Sequence, residues 1–225
     1  MLMYVIMIAF MLIGWLVSSR LKSKFKKYSE ITMGTGLSGK EIAEKMLHDH
    51  GIHDVRIISV EGQLTDHYNP MEKTVNLSHE VYYGRSAAAA AVSAHEVGHA
   101  VQHATAYSWL QFRSAMVPIE SFGSKWVQWI LLAGVLLVNT FPSLLLIGIV
   151  MFAAITLFSF ITLPVEFDAS NRAMAWLQSS RSANTGELAM AKDALNWAAM
   201  TYVVAALSAL ATLLYYIMIY LGRRN

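Results

Sequence analysis

Three stretches without a single charged residue divide the chain. The first, Met1–Val17, reads MLMYVIMIAFMLIGWLV, the short end of what a helix needs to cross a bilayer. The second, residues 126–165, holds forty uncharged positions, too many for one helix and enough for two. Its middle, NTFPS at 139–143, combines helix-breaking Asn, Pro and Ser and predicts a tight turn between two spans. The third, residues 194–222, is long enough for one crossing. The pattern predicts four transmembrane helices, the second and third forming a hairpin.

The polar segments carry a different rhythm. Residues 18–125 open a small α+β domain. In it, Ser38 and Glu41 in SGKE form a capping box ahead of an amphipathic helix that ends near Gly51. VRIISV at 55–60 reads as a strand, and residues 63–78 read as two strands around an Asn-Pro turn. Ser86 is a plausible N-cap for a helix that begins in the alanine run at 87–91. A second polar segment, 166–193, reads as a further helix on the same side of the membrane. The fold class expected is a mainly α membrane protein: four transmembrane helices and a small α+β domain.

Composition narrows the chemistry. Only 14% of the 225 residues are charged and the mean hydropathy is +0.43, too apolar for an ordinary soluble domain. With no cysteine, disulfides and thiolate metal sites are excluded. A net charge of +2 gives no reason to expect a nucleic-acid partner. Arg20, Lys22, Lys24, Lys26 and Lys27 follow the first apolar run, which argues that this side is cytoplasmic and that the run is not an ordinary secretory signal. Arg223 and Arg224 then fall on the opposite side, a weaker and opposing bias.

The candidate chemistry lies in AVSAHEVGHAVQ, residues 91–102. His95 and His99, four apart, share one helix face and aim two imidazoles at one ion. Glu96 follows the first, about a quarter turn round, where it is able to hold a water on that ion. Zinc favours such a tetrahedral site with one position open for water, and a glutamate beside it then serves as general base. Gly98 leaves room for another element to approach.

The third ligand is not fixed by this spacing. The HExxHxxGxxH class is excluded, because Gln102 and Thr105 stand where its glycine and last histidine would be. His103 lies about two turns from His95 on the same helix, too far to share the ion easily. Glu120 and Glu166 remain. Glu166 is available if two crossings separate it from His95, but Glu166 and Asp168 also read as carboxylates marking a span end.

Longer strings add a resemblance. AHEVGH, a hydrophobic hairpin and then EFDAS are similar to the membrane zinc peptidases of the CAAX-prenyl endopeptidase and HtpX group. KFKKYS, LTDHYNP, LSHEVYYGRS, AHEVGHAVQH and LPVEFDASNRA resemble, more closely, the YugP-like neutral zinc metallopeptidases over nearly the whole chain. The resemblance implies a bacterial, multi-pass membrane endopeptidase with one zinc ion per chain, held by His95, His99 and Glu166, with Glu96 as base. It departs from the wider group at one point: the aspartate expected four residues after the glutamate, which orients a ligand histidine, is Ser170 here. Asp168, Ser170, Asn171, Arg172 and His103 are the candidates for orienting the ligands or stabilising the oxyanion. Arg172 also reads as an ion-pair partner of Asp168, and Tyr107 joins the oxyanion candidates. Thr65, Asp66, His67 and Tyr68 form a candidate edge strand for an extended peptide, or simply one arm of a hairpin. The expected partners are a peptide or membrane-protein substrate and the lipid bilayer; the oligomeric state is not legible. Two other readings start from the same residues, an intramembrane zinc transporter and a non-catalytic zinc-binding scaffold.

Overall fold

The computed structural model describes residues 2–222 of the chain, which form two compact units. One consists of Val17–Leu110 and Pro164–Met200, and holds His95, Glu96, His99 and Glu166. Its elements are predominantly helical around a small mixed sheet.

Helix α2, Gly39–Asp49, begins as its capping box predicts. The Ser38 hydroxyl accepts from Glu41 N–H at 3.3 Å, and Ser38 N–H donates to the Glu41 carboxylate at 2.7 Å. It ends on His50 with Gly51 at φ +67°, a left-handed position where glycine meets no Cβ penalty. Gly51 N–H donates to His48 O and Ile52 N–H to Leu47 O, closing the last turn.

Three strands follow. β1 is Arg56–Val60, β2 is His67–Asn69 and β3 is Thr74–Ser78. They lie in the order β1-β3-β2, with β1 parallel and β2 antiparallel to the fully buried β3. β2 is therefore an edge strand, with His67 opposite Asn76 and Tyr68 opposite Val75. It is shorter than the pattern predicts and excludes Thr65 and Asp66. Leu64 sits at φ 57°, so the chain is not extended there. The Thr65 hydroxyl instead donates back to Glu61 O, and Asp66 accepts from the Ser78 N–H at 2.7 Å.

A short helix α3, His79–Tyr83, leads to α4, Ala87–Ala104. The Ser86 hydroxyl caps α4 by accepting from Ala89 N–H. Ala87–Ala91 are all buried, and alanine gives up no side-chain freedom on packing. α2 packs on α4 with Ile42, Met46, Val75, Leu77, Val81, Val97 and Leu177 in one core. The last turns of α6, Pro142–Ser179, pass so close to α4 that a Cβ built on Gly98 would stand 2.6 Å from the Ala169 carbonyl oxygen. The loop after α6 leads into α7, Thr185–Gly222, capped by Asn184 and Glu187 in the same reciprocal way as α2.

The second unit comprises the described residues of Met1–Leu16, Gln111–Leu163 and Thr201–Asn225. It takes in the first part of α1, Leu2–Ser29, most of α5, Ser108–Leu136, and parts of α6 and α7. Val127, Leu131, Leu145 and Ile149 form its core. α5 and α6 approach closely where Gly134 lies against the backbone of Leu145. Among the described residues, three helices are long and apolar enough to cross a membrane: Val5–Ser29, Pro142–Ser179 and Thr185–Gly222. The second predicted span is not one of them. Only the Trp126–Leu136 end of α5 is uncharged; it rises about 17 Å, short of a hydrocarbon core about 30 Å thick. The rest of α5 carries Arg113, Glu120 and Lys125.

Candidate metal centre

The centre is built from two helices of one unit. α4 presents His95 and His99 one turn apart, with ring centroids at 4.8 Å and planes at 83°. α6 presents Glu166, whose side chain is only 4% exposed. Glu166 Oε2 lies 3.3 Å from His95 Nε2 and 3.6 Å from His99 Nε2. One ligand atom from each of the three residues falls within 4.8 Å of the others, so the group is able to hold a metal ion.

The far side of each ring is occupied. His95 Nδ1 meets Ser170 Oγ at 3.1 Å, and His99 Nδ1 meets Gln102 Oε1 at 3.0 Å. The Gln102 amide nitrogen donates to Val165 O and to Asp168 Oδ2, both at 2.8 Å. Asp168 Oδ2 also accepts from Arg172 Nε at 2.6 Å, and the Arg172 guanidinium lies over the Tyr107 ring.

Glu96 is buried between the two histidines in sequence. Burial pushes its carboxyl above the ordinary carboxylate range; the imidazoles pull it back, and Glu166 and Asp66 add to the rise. His99 is also raised: burial pulls it down, and the Glu166 carboxylate, helped by Glu96 and the Gln102 bond, outweighs that.

Residues 3–221 match a family model described as "Putative neutral zinc metallopeptidase". The chain belongs to this family. It is also 42% identical, over 206 residues, to a Bacillus subtilis (strain 168) protein described as "Putative membrane protease YugP", a match covering 92% of this chain and 91% of that protein. No solved structure matches the chain. Membership of a zinc peptidase family, together with a membrane protease relative and three apolar helices, associates this chain with zinc and with a membrane.

The donor set fits the metal the family is named for. Zinc bonds to imidazole nitrogen and carboxylate oxygen are about 2.0–2.2 Å, so neighbouring corners of a tetrahedron stand about 3.4 Å apart. The two Nε2–Oε2 separations, 3.3 and 3.6 Å, bracket that value. With both Nδ1 atoms occupied, the two Nε2 atoms are the ones turned to the shared carboxylate.

Other predicted residues are distributed around this group. Among the described residues, neither Glu120 nor His103 belongs to it. His103 Nδ1 pairs with the Tyr68 hydroxyl at 2.8 Å. His67 Nδ1 pairs with Thr65 O, and Asn171 is exposed. Arg172 is engaged by Asp168, which is the ion pair that its spacing permits. Gln102 was not foreseen in any role. The available signal was a polar side chain three residues after His99, on the helix face that carries both histidines; its partners are 63 and 66 residues away.

Proposed function

We propose that the chain is a membrane-bound zinc endopeptidase, with one zinc ion held by His95, His99 and Glu166 and with Glu96 as general base. The observation that carries this reading is the convergence of two imidazole Nε2 atoms on one buried carboxylate, with both Nδ1 atoms already partnered. Zinc, when bound, supplies a Lewis acid for the scissile carbonyl and lowers the pKa of the attacking water toward neutrality. Glu96 takes a proton from that water at its carboxylate and returns it to the amine nitrogen as the C–N bond breaks. β2, with its outer edge unpaired in the sheet, is suited to receive an extended peptide or membrane-protein segment by strand addition. The Tyr68 hydroxyl and His103 stand together at this strand.

The test uses the full chain purified in detergent. It should carry about one zinc per chain and cleave casein, lose both on chelation, and regain both on adding zinc back. Cleavage indifferent to chelation would sink the reading, as would a fully loaded protein that cuts no peptide.

We further propose four spans, with the centre facing the cytoplasm of a bacterial cell. His95 and Glu166 share one centre, so an even number of crossings must lie between them. α6 supplies one, and the other falls to α5, whose 29 residues rise about 44 Å, with the uncharged Trp126–Leu136 end in the apolar layer and the turn bearing Lys125 and Glu120 toward its boundary. A cysteine at Lys26 and one at Asn184 should react with an impermeant reagent only after permeabilisation, and one at Thr140 from outside. Labelling of positions 26 and 184 from opposite faces would rule out the even count. A transporter, by contrast, needs α4 to cross the bilayer; α4 has 18 residues interrupted by His95, Glu96, His99 and His103, and is not among the three apolar helices.

A further inference from the structure

Gln102 is fully buried and all of its side-chain hydrogen-bonding groups have partners. Its amide can point only one way. The end facing Val165 O and Asp168 Oδ2 meets two acceptors, so it must be the NH2 group, and both of its hydrogens are used there. The other end is therefore the carbonyl oxygen, and it faces His99 Nδ1 at 3.0 Å. An oxygen that offers only lone pairs requires a proton on Nδ1. A neutral imidazole with its proton on Nδ1 has its lone pair on Nε2, the atom turned toward Glu166.

Resting on the zinc reading above, we infer that Gln102 is a positioning residue: an amide relay that carries the pull of the Asp168 carboxylate to His99 and selects the tautomer able to bind metal. In most sites of this kind a carboxylate or backbone carbonyl contacts the ligand imidazole directly. Here a neutral amide stands between them. The Asp168 charge polarises the amide N–H, and the amide oxygen becomes a better acceptor for the Nδ1 proton. No full negative charge touches Nδ1. Arg172 holds Asp168 in place through Nε, and the Tyr107 ring lies under the guanidinium. The backbone N–H of Tyr107 donates to the Gln102 backbone carbonyl, which closes the circuit on α4.

The same side chain has a second action. Val165 precedes Glu166, so the bond from Gln102 to Val165 O ties the turn bearing one ligand to the helix bearing another. His95 is oriented separately, through Ser170. Each imidazole therefore has its own neutral partner, one a hydroxyl and one an amide.

The experiment compares wild type, Gln102→Met and Gln102→Glu, with circular dichroism as the check on folding. Two quantities are read: the zinc dissociation constant by chelator competition, and the imidazole nitrogen-15 pattern of the metal-free proteins. In wild type, at a pH high enough for His99 to be neutral beside the Glu166 carboxylate, it should show the Nδ1–H tautomer. Gln102→Met, close in shape but without the oxygen, should lose that single pattern at His99 while His95 keeps its own. Its zinc affinity should fall about 10–100-fold, the range for loss of an outer partner. Gln102→Glu keeps an oxygen toward the ring but sets its other oxygen against two acceptors, Val165 O and Asp168 Oδ2, and should weaken zinc binding as the methionine variant does. The relay is overturned if Gln102→Met binds zinc as tightly as wild type with His99 unchanged, or if His99 of the wild type, when neutral, lacks the Nδ1–H tautomer. The second outcome decides the matter even if the methionine variant does not fold. A wild-type protein that takes up no zinc would defeat the metal reading alone, since the tautomer of His99 is still read in the metal-free state.

Discussion

Glu166→Ala is expected to purify with little zinc and without peptidase activity, while Glu120→Ala keeps both. The carboxylate supplies the one oxygen that both Nε2 atoms face, at 3.3 and 3.6 Å. Without it, two imidazoles remain, and two are too few for a tetrahedral site that must also hold water. The drop in zinc affinity should exceed the roughly 10–100-fold typical of changing an outer partner. Asp168→Ala should fall inside that smaller range, because Asp168 reaches His99 only through Gln102. Metal content by atomic spectroscopy and casein cleavage, measured on the same preparations, separate the three variants. Full zinc in Glu166→Ala alongside loss in Glu120→Ala would move the ligand to α5 and remove the basis of the assignment.

The second large effect is expected at Glu96. Glu96→Gln should retain stoichiometric zinc and lose on the order of 10²-fold or more in cleavage rate, the range for removing a general base. The distinction is that Glu96 lies outside the ligand group while its burial favours holding a proton. Glutamine preserves the shape and cannot accept the proton. A variant that cuts at close to the wild-type rate would show that the water is deprotonated elsewhere. Simultaneous loss of zinc would place Glu96 among the ligands.

What could be read from the sequence was chemistry acting over a few residues. The capping box of Ser38 and Glu41 and the Ser86 cap are local hydrogen bonds, and they form where the residue types indicate. The His95–His99 spacing needs only helical geometry to bring two rings together. The strand before Thr74 was legible in kind but not in extent, because Leu64 adopts a left-handed conformation that its side chain does not announce. The charge-free run at 126–165 marked an apolar stretch and not a helix boundary, since α5 continues back through Lys125, Glu120 and Arg113. Ser170 looked like a missing carboxylate, yet its hydroxyl reaches His95 Nδ1. Gln102 stayed invisible because its meaning depends on α6 arriving beside it, and no local pattern encodes that arrival.

The contact between Gly98 and the Ala169 carbonyl sets a tolerance for the whole centre. Ligand distances at a zinc site are matched to within about 0.2 Å. Any side chain at position 98 would begin with a Cβ 2.6 Å from that oxygen, well inside normal contact, and would wedge α4 and α6 apart by several times the margin. The gap that Glu166 spans to reach the two imidazoles is thus calibrated by an absent methyl group. A lesion there would resemble loss of a ligand while leaving His95, His99 and Glu166, the three proposed ligands, intact.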